Sequence, residues 1–266
     1  MSNPPGKQRP FPKPAFPISI RRTRSGWRLS QHGTVLSEVL TRPGPTHSVF
    51  DVLAAACVSS GPPARDIALL GFGGGGVVAA LRALGCAARI HAVDLDATGW
   101  KLLAQSRAAW LEPIAWHHAD AIDWLRQSGR FDLIIDDLSV PYRGDVAKPE
   151  ATWNILPNLV RKHLRPRGRA LFNLLRPAHG TWAGGIRSIA QRFGPGLMIH
   201  LDEFENRILA VGTQVESPPR ANPDSGGTVG PGVFNPRTAG AMIRSRLRSL
   251  GSRQADRLCV ERFPRA

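Results

Sequence analysis

Ala68-Leu69-Leu70-Gly71-Phe72-Gly73-Gly74-Gly75-Gly76 is the stretch on which the reading of this chain turns. A short apolar run, Ile67–Leu70, is fit for a buried strand and stops at a glycine cluster. A helical pattern over Val77–Leu84 follows at once. Glycine turns the backbone tightly and lets a ligand come close to main-chain N–H groups. Alone, such a cluster reads equally well as an ordinary glycine-rich turn.

The chain beyond it is regular. Arg89–Val93 reads as a strand ending on Asp94, and Thr98–Trp110 as a helix. Ile114–His118 is a strand ending just before Asp120, and Ala121–Gln127 a helix. Phe131–Ile135 is a strand ending on Asp136-Asp137, and Ala151–His163 a helix. Arg169–Leu175 (strand), Trp182–Phe193 (helix), and the strands Leu197–Leu201 and Arg207–Val211 complete the series. Alternation of this kind predicts an α/β, doubly wound, mostly parallel sheet covered on both faces. The last two strands are separated only by Asp202–Asn206, which forces an antiparallel hairpin. Seven strands with the last one antiparallel is the class I methyltransferase version of the fold.

Upstream, Val49–Val58 is a helix candidate, and Trp27–Leu29 and Thr34–Val39 are short strands around a turn at His32-Gly33. The expected division is a basic, Pro-rich arm over 1–26 and a hairpin and helix over 27–60. The α/β domain then covers 61–215, and a Gly/Pro-rich linker with a basic C-terminal extension covers 216–266. A basic helix is expected there over Ala239–Leu250.

In open α/β sheets, ligands bind beyond the carboxyl ends of the strands. Asp94, some twenty residues after the glycine cluster, stands where an acid accepts from both hydroxyls of a ribose. Asp120 stands where an acid can take an adenine amino group, and it is equally a helix N-cap. A glycine turn, a ribose acid and an adenine acid, in order and each at a strand end, point together to an adenosyl ligand. Gly71, Gly73 and Gly75 fit G-x-G-x-G, the form that meets S-adenosylmethionine, rather than the G-x-G-x-x-G of NAD sites.

These residues carry a resemblance to the spermidine synthases. Ala68–Gly76 (ALLGFGGGG), His91–Asp96 (HAVDLD), His118–Leu125 (HADAIDWL) and Phe131–Pro141 (FDLIIDDLSVP) resemble that family's IGGGDGG, VEID-type, GDA-x-x-FL and YDVIIVDSSDP stretches. His32–Ser37 (HGTVLS) is similar to its N-terminal DG-x-x-QS hairpin. The resemblance spans roughly residues 27–212. It implies that Gly71, Gly73 and Gly75 line the amino-acid end of the cofactor. It places Asp94 on the ribose, in the position of the family's Glu, and Asp120 and Ala121 at the adenine. Asp137 matches the acid that orients and deprotonates the attacking amine.

Three departures bear on the chemistry. Gly74 replaces the family's Asp, which suits the amine of decarboxylated S-adenosylmethionine and repels the carboxylate of the intact cofactor. Val140 replaces the second Asp of DSSDP, an anchor for a diamine. Leu36 replaces the hairpin Gln.

Adjacent acids at a strand end point in opposite directions. One of Asp136 and Asp137 is therefore expected in the cleft with its pKa pushed upward, as suits a proton acceptor. The alternative is a cap and an arginine pair. Tyr142 is a candidate for the acceptor side or for surface packing, and Ser139 a weaker one. His117 and His118 alternate across a strand and cannot share a metal, so no metal site is expected. Trp110, Trp116, Trp124 and Trp153 are expected in the core.

Charge closes the reading. The chain has 266 residues and a net charge of +15. Seven cations and no acid lie in residues 1–30, and residues 237–266 carry a net +6, which leaves the middle at +2. The basic ends suggest recruitment of an anionic macromolecule, while the middle has an enzyme's composition. Three cysteines without a C-x-x-C pair fit a reducing cytoplasm, and no apolar run is long enough for a membrane span. The function expected is S-adenosylmethionine-dependent transfer, methyl transfer foremost, to an unidentified acceptor such as a small amine, with a homodimer as the candidate assembly. The alternatives are polyamine aminopropyl transfer from decarboxylated S-adenosylmethionine and a non-catalytic nucleic-acid- or ribosome-binding role.

Overall fold

The computed structural model describes residues 18–31, 34–106, 109–142, 145–177, 180–212 and 235–263. The expected turn at His32-Gly33, residues 1–17 of the arm and most of the expected linker lie outside the described residues.

A three-stranded antiparallel sheet opens the chain: β1 (Ser19–Arg22), β2 (Gly26–Gln31) and β3 (Thr34–Leu40). β2 and β3 are the expected hairpin. β1 corrects the reading of residues 1–26 as a plain arm, since it pairs with β2 from Ser19↔Ser30 to Arg22↔Trp27. All four of its residues are exposed, so no apolar alternation marks it in the sequence. Helix α1 (Val49–Ser59) follows, capped by Ser48, whose hydroxyl accepts from Phe50 N. Asp51 is buried at its first turn and accepts from Thr46 N and Oγ1, both at 2.8 Å, and from His47 N at 2.9 Å.

The main domain then alternates: β4 (Asp66–Leu70), α2 (Gly76–Ala83), β5 (Arg89–Asp94), α3 (Thr98–Gln105), β6 (Ile114–His118), α4 (Ala121–Gln127) and β7 (Phe131–Asp136). A small hairpin interrupts, β8 (Val140–Tyr142) with β9 (Asp145–Ala147). After it come α5 (Ala151–Asn154), α6 (Leu156–His163), β10 (Leu164–Leu174), α7 (Trp182–Phe193), β11 (Leu197–Leu201) and β12 (Phe204–Val211). The helix expected over Ala151–His163 is broken at Ile155, just ahead of Pro157, whose ring cannot continue a helix begun before it. The helix expected over Thr98–Trp110 ends at Gln105.

Two elements close the chain, α8 (Pro236–Leu250) and β13 (Leu258–Arg262). Asn235 caps α8, accepting from Arg237 N and Thr238 N, and Gly251 ends it in the left-handed conformation. The main sheet runs β13-β11-β12-β10-β7-β4-β5-β6. From β10 to β6 it is parallel, and β12 lies antiparallel between β10 and β11. This is the expected class I methyltransferase order with one correction. The sheet has eight strands, because β13 from the C-terminal extension pairs antiparallel with β11.

Each face of the sheet carries its own apolar core. One holds Leu53, Ile67, Leu69, Leu81, Ile90 and Leu247, and the other Leu70, Leu125, Ile134, Phe172 and Leu209. Along β4 these residues alternate, with Ile67 and Leu69 on one face and Ala68 and Leu70 on the other. A strand covered on both faces reads as one unbroken apolar run for this reason. All three cysteines are free thiols, and no described helix is long and apolar enough to cross a membrane.

Candidate functional site

The residues singled out from the sequence meet at one edge of the sheet. β7, β4 and β5 are neighbours, so their carboxyl ends lie side by side at the strand spacing of about 4.8 Å. Main-chain bonds stitch the segments that leave these ends. Gly71 N donates to Val93 O at 2.9 Å, Asp137 N to Leu70 O at 2.8 Å, and Ala119 N to Asp94 O at 3.1 Å. Gly71, Asp94 and Asp137 thus share one rim, and Asp120 begins α4 at the next strand end.

Gly71, Gly73 and Gly75 all have positive φ, at 88°, 53° and 76°. Their need for glycine is visible in what surrounds them. A Cβ on Gly71 would lie 2.5 Å from Asp137 O, and one on Gly73 would lie 3.1 Å from Ser37 Cβ. On Gly75 it would meet Phe72 Cζ at 2.8 Å. Gly74 faces β3, where a Cβ would lie 2.8 Å from Val39 Cγ2 and 3.0 Å from Glu38 O. The loop is pressed between β3, α3 and the end of β7, and β3 covers its middle. We expect Gly71→Ala to cost about 2 kcal/mol or more in urea unfolding, because both the left-handed φ and the Asp137 carbonyl oppose a side chain. Wild-type stability in this variant would show that the loop can shift off β7.

Asp94 grips this loop. Its Oδ2 accepts from Phe72 N at 2.8 Å and Gly73 N at 2.7 Å, and its Oδ1 accepts from Asp96 N at 2.9 Å. Burial pushes its pKa up, opposed by those three N–H donors. The next residue, Leu95, leaves 49% of its surface exposed, an apolar face beside an acid at a strand end. Asp120 is the N-cap of α4, its Oδ1 accepting from Ile122 N at 2.8 Å and Asp123 N at 3.0 Å. Ala121, the first residue of α4, is buried in the core.

The two acids after β7 part company. Asp136 is 1% exposed and pairs with Lys148 Nζ at 3.0 Å, itself 1% exposed. The partner is a lysine from just beyond β9, where the sequence alternative named an arginine. The other Asp136 oxygen, Oδ2, is buried with no hydrogen-bond partner among the described residues. Asp137 is half-buried and turns to β10, accepting from Asn173 Nδ2 at 2.7 Å. Asn173 is 6% exposed, and its Oδ1 accepts from Asn206 Nδ2 of β12 at 3.0 Å. The two amides thus fix the Asp137 carboxyl from behind. Burial raises the Asp137 pKa to about 7, with the Asn173 bond and the Lys148 charge pulling it down and the charges of Asp136 and Asp94 pushing it up.

Asn173, Asn206 and Lys148 escaped the sequence reading. For Asn173 a signal existed, a lone amide in the apolar run of Ala170–Leu174 at a strand's carboxyl end. Lys148 and Asn206 carry no comparable mark. Val140 is 38% exposed and Tyr142 half-buried on the β8–β9 hairpin beyond Asp137. His117 stacks on His91, and His118 Nε2 contacts Leu95 O at 3.0 Å. Among the described residues no three His, Cys, Asp or Glu side chains are grouped to hold a metal. Trp100 and Trp116 stack at 5.3 Å and close on Phe72, while Trp153 meets Trp182 edge-on.

No protein-family model matches the chain, and no curated protein matches it in sequence. Solved structures do match in shape. A probable spermidine synthase from Corynebacterium glutamicum superposes with a TM-score of 0.62 at 17% identity, covering 94% of this chain and 91% of that one. The spermidine synthase of Thermotoga maritima gives 0.57 at 14% identity, over 88% and 84%. Human methyltransferase-like protein 13, solved in complex with SAH, gives 0.53 at 17% identity, over 77% and 92%. At these identities the likeness is one of fold. The chain has the class I methyltransferase fold, in the form that spermidine synthases share.

Proposed function

We propose that this chain is an S-adenosylmethionine-dependent transferase that moves a methyl group to an acceptor carrying an ionisable N–H or O–H. The observation that carries this reading is the half-buried Asp137, set by Asn173 beside the glycine loop with its pKa raised to about 7. A carboxyl group poised near neutrality at a strand end is suited to accept a proton.

The donor set fits the nucleoside of such a cofactor. Asp94 holds its carboxylate at the loop with one N–H on Oδ1, which leaves that oxygen capacity for a ribose hydroxyl. Leu95 offers an apolar platform for a purine beside it, and the Asp120 Oδ2 and Ala121 N–H stand at the adjoining strand end. Gly71, Gly73 and Gly75 would leave the amino-acid end of the cofactor against main chain. When bound, S-adenosylmethionine supplies a methyl group activated on a sulfonium. The protein's own work is to align the acceptor and take its proton. Asn173 occupies Asp137 Oδ1 and leaves Oδ2 for the acceptor. Displacement at a sulfonium carbon depends on alignment more than on covalent help.

Methyl transfer is favoured over aminopropyl transfer by Gly74. The resemblance puts an amine-selecting Asp at this position, yet β3 leaves no room for a side chain there. Val140 likewise offers no charge to a diamine.

Calorimetric titration with intact and decarboxylated S-adenosylmethionine, side by side, tests the reading. The intact cofactor should bind, the decarboxylated one more weakly, and Asp94→Ala should lower the affinity at least about 100-fold, since it removes the ribose acceptor and frees two loop N–H groups. Binding of the decarboxylated form alone overturns methyl transfer in favour of aminopropyl transfer, and binding of neither overturns both.

A further inference from the structure

At the edge of the sheet opposite Asp137, the amino ends of β7 and β10 open on a cavity of about 340 Å3. Four arginines line it, Arg130, Arg161, Arg165 and Arg192, together with Phe193 and no acid. Arginines at such density repel one another unless something anionic faces them.

Their compensation is uneven. Arg165 Nη1 donates to Asp66 Oδ2 at 2.9 Å and to Asp132 Oδ2 at 3.0 Å, so both nearby carboxylates are committed to it. Arg192 is held by neutral acceptors alone. Its Nε donates to Asn158 Oδ1 at 3.1 Å, and its Nη1 to Ser188 O and Gln191 Oε1, both at 3.2 Å. Arg161 Nη1 donates to the main-chain oxygen of Arg192. Arg130 makes no ion pair or hydrogen bond among the described residues. Three guanidinium groups thus line one cavity with no carboxylate at salt-bridge distance among the described residues, and Arg192 is already fixed in place.

We propose that this cavity binds a phosphate oxoanion. Guanidinium groups match phosphate geometry with paired N–H donors, which a diffuse surface charge does not. The volume exceeds that of one phosphate, and Phe193, which packs edge-on against Phe172, gives the apolar wall of a site for an organic phosphate. The source is the sugar–phosphate backbone of a nucleic acid or a free phosphate compound.

The test uses the full chain, with inorganic pyrophosphate and a fluorescent single-stranded oligothymidylate of about twelve nucleotides as probes. Arg130→Ala/Arg161→Ala should weaken binding about tenfold or more, and should flatten the salt dependence of oligonucleotide binding by 1 to 1.5 in log–log slope. A control that removes exposed arginines elsewhere, Arg21→Ala/Arg246→Ala, should leave the affinity within about threefold. Arg130→Glu alone, at an exposed side chain with no described partner, keeps the test open if the double variant unfolds. Binding of pyrophosphate alone assigns the site to free phosphates, and binding of the oligonucleotide alone to nucleic acid; either supports the proposal when the cavity variants weaken it. Failure of both probes to bind, or an equal loss in the control, overturns it.

Discussion

Asp137→Asn should lower methyl transfer by about 100- to 10,000-fold while leaving S-adenosylmethionine affinity within about threefold. The amide keeps the size of the carboxyl but cannot take a proton. In the wild type, burial holds the Asp137 pKa up at about 7, so the group is protonated and idle below that pH and ionised above it. Turnover should therefore rise through pH 7 and level off above. Asn173→Ala removes the donor that favours the ionised form and should move the inflection to higher pH, a shift that merely looser packing would not give. Stability should move the other way. The folded pKa lies above the ordinary carboxyl value of 3.8, so the folded state binds the extra proton between about pH 4 and pH 7. Its contribution is fully present below pH 4 and is lost as pH rises through 7. Asp137→Asn should accordingly gain thermal stability relative to wild type at pH 8 compared with pH 5. A wild-type rate independent of pH between 6 and 8 would remove Asp137 from the proton-transfer role.

What was legible in the sequence follows a physical line. Strands buried on both faces announce themselves as apolar runs, and their carboxyl ends fix where polar groups matter. The series β4, β5, β6, β7, β10, β11 and β12 is legible this way, and so are Gly71, Asp94 and Asp137 at strand ends, whereas the β8–β9 hairpin is not. Asp120 was legible as a residue and ambiguous as a role, since one carboxylate at a helix start serves as a cap or as a ligand group. β1 and β13 were not legible. β1 is exposed throughout and β13 mostly so, and a strand without apolar alternation leaves no periodic trace. The Asn173–Asn206 relay joins residues 33 positions apart through β-sheet register, which local pattern does not encode. Lys148 reaches Asp136 across the β8–β9 hairpin, for the same reason out of sight.

Removing residues 213–266 should abolish cooperative folding, although composition alone marks this segment as a basic tail. β13 forms five register pairs with β11, and Phe263 N donates to Gly196 O at 2.8 Å. Without it, β11 becomes a bare edge strand, open to pairing between molecules. α8 packs on α1, and Ile243, Leu247, Leu250, Leu258 and Phe263 are all buried. At about 2 kcal/mol for each large apolar side chain, their burial contributes on the order of 10 kcal/mol before the cost of ordering the segment. That matches the whole net stability of an ordinary domain. Polar ties reinforce it, with Gln254 Nε2 donating to His47 O at 3.2 Å and Arg257 pairing with Glu203. Among the described residues of this segment, the exposed Arg237, Arg246, Arg248, Arg253, Arg257 and Arg262 therefore sit on the folded body. Their charge adds to the field of the whole domain. The expected result is aggregation on expression, or a purified chain with no sigmoidal thermal transition by circular dichroism. A soluble truncated chain melting within a few degrees of the full one would mean that α8 and β13 are appended to the domain and contribute nothing to holding it together.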